Sequence, residues 1–231
     1  MSADVSLAIL AKAPIPGRVK TRLIPACGAE QAARVHAHLL CRTVHVASAA
    51  FPAERLTLWT ALDHAHPLFL ELAERYGIAL HPQPDGDLGA RLHHALAWAN
   101  GPALAIGSDC PVLSPALLHA CAEALMVHDA SCLPAEDGGY ALLGLRQAHP
   151  HLFTAIDWGS ERVMTQTTRR INELGWRLAC PATVWDVDRP EDLHRWQRSA
   201  EIPLDSTPGS FVRETFFRPS VRPEDASNEP K

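Results

Sequence analysis

Long apolar runs are missing from this sequence of 231 residues. None approaches the roughly 20 residues that a bilayer-spanning helix needs, so no membrane span is expected. The chain does not open with a charged segment followed by an apolar stretch, and no signal peptide is expected. An excess of positive charge is missing too. Lys and Arg number 21 against 26 Asp and Glu, a net charge of -5, which argues against a general nucleic-acid binder. The six cysteines (Cys27, Cys41, Cys110, Cys121, Cys132, Cys180) form no C-x-x-C pair, a pattern that suits neither a zinc site nor a disulfide scaffold. They read as reduced thiols, mostly in the core of a cytoplasmic protein. The thirteen histidines build no convincing H-x-x-x-H helix face. His36 with His38, or His64 with His66, has the spacing to chelate a metal, but solvated surface histidines are the simpler reading. The Walker pattern G-x-x-x-x-G-K-[ST] and the dinucleotide fingerprint G-x-G-x-x-G are both absent, which excludes a standard P-loop and a standard dinucleotide site.

What is present is the composition of an ordinary globular protein, 47% hydrophobic and 20% charged, on a chain long enough to bury a sizeable core. Short apolar runs alternate with helical patterns. Strands are expected at 5–11, 55–61, 78–81, 103–106, 130–134 and 140–145, with a last one inside 177–187. Helices are expected at 30–50, 67–76, 88–100, 114–127 and 160–174, and the "DRPEDLHRW" segment starts a last one. Alternation of this kind predicts an α/β fold, a mostly parallel central sheet flanked by helices. No repeat and no Pro/Gly/Ser-rich linker precedes residue 200, so one domain over 1–200 is expected. The 201–231 tail, rich in proline, reads as largely disordered, with Phe211, Phe216 and Phe217 as residues that could dock back.

In open α/β sheets ligands collect at the C-terminal ends of strands. Four polar motifs follow apolar runs here. "LAILAKAPIPGRVKTRL", residues 7–23, gathers Lys12, Arg18, Lys20 and Arg22 around Gly17. Glycine lets backbone approach a ligand closely, and arginine and lysine meet phosphate as a planar fork and a point charge. "GSDCP", 107–111, puts Asp109 at a strand end, where Mg²⁺ or Mn²⁺ would take one or two carboxylates with phosphate oxygens. "PAEDGGYALLGL", 134–145, offers Glu136 and Asp137 as bases beside Gly138 and Gly139, although a plain hairpin turn would explain the glycines alone. "WDVDRPEDL", 185–193, holds Asp186 and Asp188. Asp188 stands three residues before Glu191, the spacing of a capping box, so Asp188 is assigned to capping and Asp186 to the site.

Those four motifs, with "GDLGARL" (86–92) and "DWGSERVMTQT" (157–167), resemble the nucleotide-diphospho-sugar transferase superfamily with its GT-A fold. More narrowly they resemble a family of small glycosyltransferase-like bacterial proteins long carried as a domain of unknown function. The resemblance spans roughly residues 5–197. It implies a single-domain Rossmann-like GT-A fold. It implies that Lys12, Gly17, Arg18, Lys20 and Arg22, with Asp87 and Arg91, surround a nucleotide's phosphates. Asp109 stands where the superfamily keeps its metal-binding Asp. Many GT-A enzymes carry D-x-D there; this chain has S-D-C, which moves the second metal ligand to Asp186. Asp137 or Glu136 corresponds to the base of inverting enzymes, and Gly138, Gly139, Tyr140 and Trp158 fall in the sugar or acceptor pocket. The first loop lacks the G-G-x-G-x-R core of sugar nucleotidylyltransferases. Its K-T-R-L ending is closer to guanylyltransferases of small phosphorylated cofactor precursors.

Three functions follow as expectations. The first is a glycosyltransferase that uses a nucleotide-sugar, Mg²⁺ or Mn²⁺ and a small-molecule acceptor. The second is a nucleotidylyltransferase that uses NTP and a phosphorylated acceptor. The third is a non-catalytic nucleotide-binding module. Polar residues at four strand ends weigh against the third.

Overall fold

The computed structural model describes residues 4–200. The tail from 201 onward, with its three phenylalanines, lies outside the described residues, as does any test of its expected disorder.

Strand β1 (Ser6–Lys12) is the centre of the architecture. It pairs in parallel with β2 (Leu56–Ala61) on one side and β4 (Ala103–Ile106) on the other. Beyond β2 lies β3 (Ala79–Pro82), also parallel. Beyond β4 lie β6 (Tyr140–Leu145), β5 (Ala130–Pro134) and the two-residue β7 (Leu178–Ala179), in the order β3-β2-β1-β4-β6-β5-β7. Only β6 runs antiparallel to its neighbours. The α/β fold with a mostly parallel sheet is therefore as expected.

Both faces of β1 are covered. Leu7 and Ile9 enter one core with Leu40 and Val44 of α2 (Ala29–Ala50), Phe69 of α3 (Pro67–Tyr76) and Leu118 of α5 (Pro115–Ala124). Ala8 and Leu10 enter the other with Leu92 and Leu96 of α4 (Leu88–Trp98) and Ile171 of α6 (Val163–Glu173). This double coverage is why the strand reads as an unbroken apolar run rather than as an alternating one. A third cluster joins Val35 and Leu39 of α2 to Trp185, Val187 and two residues of α7 (Pro190–Ala200), Leu193 and Trp196. It seats the "WDVDRPEDL" segment against the start of the molecule.

Three local differences from the expected elements have physical causes. The last strand stops at Ala179 because Pro181 has no N–H to donate; only an isolated bridge, Ala135 with Val184, continues the pairing. Helix α6 starts at Val163, three residues later than expected, because Asp157–Arg162 turn around Gly159 at φ 82°. A short helix, α1 (Ile24–Cys27), follows the cation-rich loop, with Pro25 in its first turn.

Candidate active site

The parallel strands β1–β4 end on one edge of the sheet. The antiparallel β6 begins there, so the 135–139 turn returns to the same edge. A cleft of about 570 Å³ opens at this edge. Main-chain hydrogen bonds draw its walls together. Val187 N–H donates to the Asp109 carbonyl at 2.9 Å, and Glu136 N–H to the Val184 carbonyl at 3.0 Å. The "GSDCP", "AEDGG" and "WDVD" segments are thereby brought side by side although 28 to 77 positions separate Asp109 from the other two aspartates, Asp137 and Asp186.

Lys20 reaches into this cleft from a left-handed backbone conformation, φ 46° and ψ 41°. Non-glycine residues visit that region at a cost and stay there only where the surrounding structure holds them. Its Nζ lies 2.7 Å from Asp109 Oδ1 and 2.8 Å from Asp188 Oδ1, with the side chain only 3% exposed. Burial works to lower its pKa, but the two carboxylates outweigh burial and hold it above the ordinary lysine value. Burial likewise works to raise Asp109, and Lys20 and His36 outweigh it, leaving Asp109 below the ordinary value.

Asp186 is in no ion pair among the described residues, and the charge of Lys20 only partly offsets its surroundings. Its Oδ1 is buried with no hydrogen-bond partner among the described residues. Burial first, then the charges of Asp109 and Asp137, push its pKa up to about 7. An unpaired buried carboxylate beside another carboxylate is what a hard cation would relieve. Asp109 and Asp186 fit Mg²⁺ or Mn²⁺, which keeps several waters and needs only one or two carboxylates with substrate phosphates. No cluster of three or more His, Cys, Asp or Glu with metal-binding geometry occurs among the described residues.

The other expected site residues divide. Lys12, Arg18, Arg22, Arg91, Asp137, Gly139, Tyr140 and Trp158 line the cleft with Lys20, Asp109 and Asp186. Lys12 and Arg18 are exposed and in no ion pair among the described residues. Arg22 stands 3.6 Å from Asp188 Oδ2. Asp137 Oδ1 accepts the Gly139 N–H at 2.9 Å.

Glu136, Asp87, Gly17 and Gly138 are not in the lining. Arg195 holds Glu136 at 2.7 and 3.1 Å through both nitrogens of its fork. Asp87 caps α4 by accepting the Ala90 N–H at 2.8 Å. Gly17 turns the loop at φ 78°. Gly138, at φ 87°, packs against the Glu161 carbonyl so closely that a Cβ would collide with it.

Two readings of the sequence are corrected. Asp188 is not the cap of α7: its carboxylate holds Lys20, and Asp192 Oδ2 instead accepts the N–H groups of Asp188 and Arg189 at 3.1 and 2.8 Å. His36 and His38 are not solvated; both are buried on α2. His36 Nε2–H donates to the Lys12 carbonyl at 2.9 Å, and its Nδ1 stands 3.8 Å from Asp109 Oδ1. Burial outweighs that carboxylate and keeps its pKa low. The signal for His36 was its place on the buried face of α2, one helical turn from Ala32 and Leu39.

The family described as "Uncharacterized protein conserved in bacteria (DUF2064)" matches residues 43–160, half of the chain. No curated protein matches the sequence. Among solved structures, a candidate nucleotide-diphospho-sugar transferase from Desulfovibrio desulfuricans is similar, with 26% identity and a TM-score of 0.74 over 92% of this chain and 95% of that one. A cytidylyltransferase from Leptospira borgpetersenii shares the fold at 12% identity, with a TM-score of 0.58 over 92% and 93%. So does a nucleotidyl transferase from Methanothermobacter thermautotroptrophicus at 18% identity, with a TM-score of 0.55 over 84% and 98%.

Proposed function

Because the chain belongs to the DUF2064 family, we propose on the chemistry of its cleft that it is a nucleotide-dependent transferase, moving a sugar from a nucleoside diphosphate to a small hydroxyl acceptor. The observation that carries this reading is the side-by-side placement of free cations, Lys12 and Arg18, and a carboxylate pair, Asp109 and Asp186, in one cleft. Its likeness to a candidate nucleotide-diphospho-sugar transferase supports the same class.

The reaction breaks the bond between the sugar's anomeric carbon and the diphosphate oxygen, and the bonding electrons leave with the nucleoside diphosphate. Lys12 and Arg18 meet the charge that grows on that oxygen. Pre-placed cations of this kind are worth on the order of 3 kcal/mol each in a transition state. Asp109 and Asp186 would hold Mg²⁺ or Mn²⁺. When bound, the cation supplies further positive charge at the phosphates. Lys20, held on Asp109 and Asp188, fixes both carboxylates beside the phosphates in this reading. Asp137 takes the proton of the attacking hydroxyl. The Gly139 N–H on its Oδ1 orients it.

A second reading, nucleotidylyl transfer, draws on the same Asp109–Asp186 pair, which would clamp a cation on an NTP while a phosphorylated acceptor attacks. It needs no base at Asp137. Thermal shift with Mg²⁺ separates the two. Ligand at 100 times its dissociation constant should stabilise by about 2.7 kcal/mol. A response to UDP- or GDP-sugars with release of nucleoside diphosphate is the expected result. A response to CTP or GTP alone, with release of pyrophosphate, would replace the first reading by the second. No response to any nucleotide would overturn both.

A further inference from the structure

We propose that Gln83 and Arg91 form a base-reading pair, which selects a nucleotide whose base presents two neighbouring hydrogen-bond acceptors, guanine or cytosine, over adenine. This rests on the nucleotide reading above and adds to it which base the cleft takes and which residue sets the choice.

Gln83 follows β3 and is fixed from both sides. Its main-chain N–H donates to the Thr60 carbonyl at 2.8 Å. Its side-chain Nε2 donates to the carbonyls of Trp59 at 2.8 Å and Ala11 at 3.2 Å, near the ends of β2 and β1. Carbonyls accept only, so the amide has one orientation and no flip is allowed. Oε1 must then face α4, where it accepts Arg91 Nη1 at 3.4 Å. That contact is long. It steers the guanidinium without saturating it.

Arg91 is left with a free edge. Its Nε–H is buried and has no hydrogen-bond partner among the described residues, in a side chain that lines the cleft. With Nη1 turned to Gln83, the Nε and Nη2 hydrogens form the remaining fork. Such a fork asks for two adjacent acceptors. Guanine O6 and N7 answer it, and this is the commonest specific arginine contact to a base; cytosine O2 and N3 are a second, more closely spaced pair of neighbouring acceptors. Adenine sets an amino donor next to N7 and repels one tine.

The surroundings suit a flat ring. Leu88 and Leu92 stand at i−3 and i+1 of Arg91 on the cleft face of α4, and Leu10 lines the cleft from β1. Leu88 is 46% exposed, an apolar side chain with nothing over it at the cleft. The carboxylates that hold Lys20, Asp109 and Asp188, are on other segments.

The test is calorimetric titration of the full-length protein with GDP, CDP and ADP, all with Mg²⁺. GDP or CDP should bind about 10-fold or more tightly than ADP, the size of one good bidentate contact. Arg91→Lys keeps the charge and loses the fork. It should reduce the preferred nucleotide to the level of ADP and leave ADP little changed. Gln83→Met should reduce the same ratio while the melting temperature without ligand shows the fold is kept. Equal binding of all three nucleotides, or a preference for ADP, overturns the inference and leaves the transferase reading standing. Equal weakening of all three by Arg91→Lys would make Arg91 a phosphate ligand, and would also overturn it. An unchanged ratio in Gln83→Met would remove Gln83 from the pair. Failure of any nucleotide to bind would overturn the inference together with the reading beneath it.

Discussion

Lys20 Nζ lies 2.8 Å from Asp188 Oδ1 across 168 positions of sequence, and 2.7 Å from Asp109 Oδ1. The lysine of the first loop thus closes the chain on itself, tying β1's loop to the segment that leads into the last helix. A lysine held by two carboxylates offsets one of their two charges in a cleft that already carries Asp137 and Asp186. It also means that the loop's cations are not equivalent, since Lys12 and Arg18 are exposed and Lys20 is not.

Lys20→Ala is therefore expected to lower the stability of the ligand-free protein. Breaking a buried ion pair by removing one partner costs roughly 3–5 kcal/mol. Asp109 and Asp188 are 41% and 38% exposed, so solvent screens the charges left behind and about 2 kcal/mol is the better figure. For a domain of this size that is a fall of roughly 4–8 °C in Tm. Differential scanning calorimetry without nucleotide reads it. An unchanged Tm would mean that Lys20 is not held as described and is free to meet phosphate.

Asp186 gives a pH signature. Its pKa is raised to about 7, by burial first and then by Asp109 and Asp137. A carboxyl raised in the folded state binds its proton more tightly folded than unfolded. Its folded form is least penalised below the unfolded value near 4, and stability is lost as pH rises from there to about 7. Asp186→Asn removes that penalty. The variant should be more stable than the parent at pH 8, by up to about 4 kcal/mol, and no more stable at pH 4. Urea unfolding at the two pH values measures the difference. A variant equally destabilised at both would show that Asp186 is charged and paired.

Gly138→Ala tests a structural role next to the site. The backbone there has φ 87°, and a Cβ would collide with the Glu161 carbonyl. The same turn also supplies the carbonyl that accepts Met164 N–H at 2.8 Å. Strain and displacement together should cost about 2 kcal/mol or more. Gly139→Ala meets only the Asp137 side chain at 3.2 Å and should cost less. Chemical denaturation of the pair gives the ranking, and a reversal of it would contradict the turn's geometry.

How much of this was legible beforehand depends on range. The alternating apolar runs carried the sheet, because a strand buried on both faces, such as Leu7–Leu10, leaves an unmistakable stretch. The strand ends carried Asp109, Asp186 and the loop cations. What the residues did not reveal was pairing across the chain. Asp188 carries a capping-box spacing with Glu191, a local pattern, yet its partner is a lysine 168 positions away. Glu136 and Asp137 are adjacent and alike in sequence, and only the approach of α7 gives Glu136 to Arg195. His36 reads in the sequence as one of many surface histidines, whereas α2 is buried along the face that carries it. Gln83 had no motif at all; its meaning comes from the two carbonyls that the fold brings to it.

That separation of Glu136 from Asp137 sharpens the question of the base. Asp137 lines the cleft, and its Oδ1 is oriented by the Gly139 N–H at 2.9 Å. Glu136 lines no part of it and is paired with Arg195 on the exposed side. If a sugar is transferred, Asp137→Asn should leave nucleotide-sugar binding intact and reduce turnover by roughly 10²- to 10⁴-fold, the usual size of a general-base contribution. The loss should fall on kcat and kcat/KM alike, because the proton moves only in the transition state. Glu136→Gln should leave both nearly unchanged, which makes it the control for a nonspecific charge effect. The amide introduced by Asp137→Asn retains an oxygen for the Gly139 N–H, so the turn should survive and the melting temperature should report it. If instead a nucleotidyl group is transferred, the acceptor phosphate is already ionised and has no proton to lose. Asp137→Asn would then change kcat little. Steady-state rates of nucleoside diphosphate release and of pyrophosphate release, measured on both variants, separate these outcomes, and full sugar transfer by Asp137→Asn would remove the residue from the mechanism.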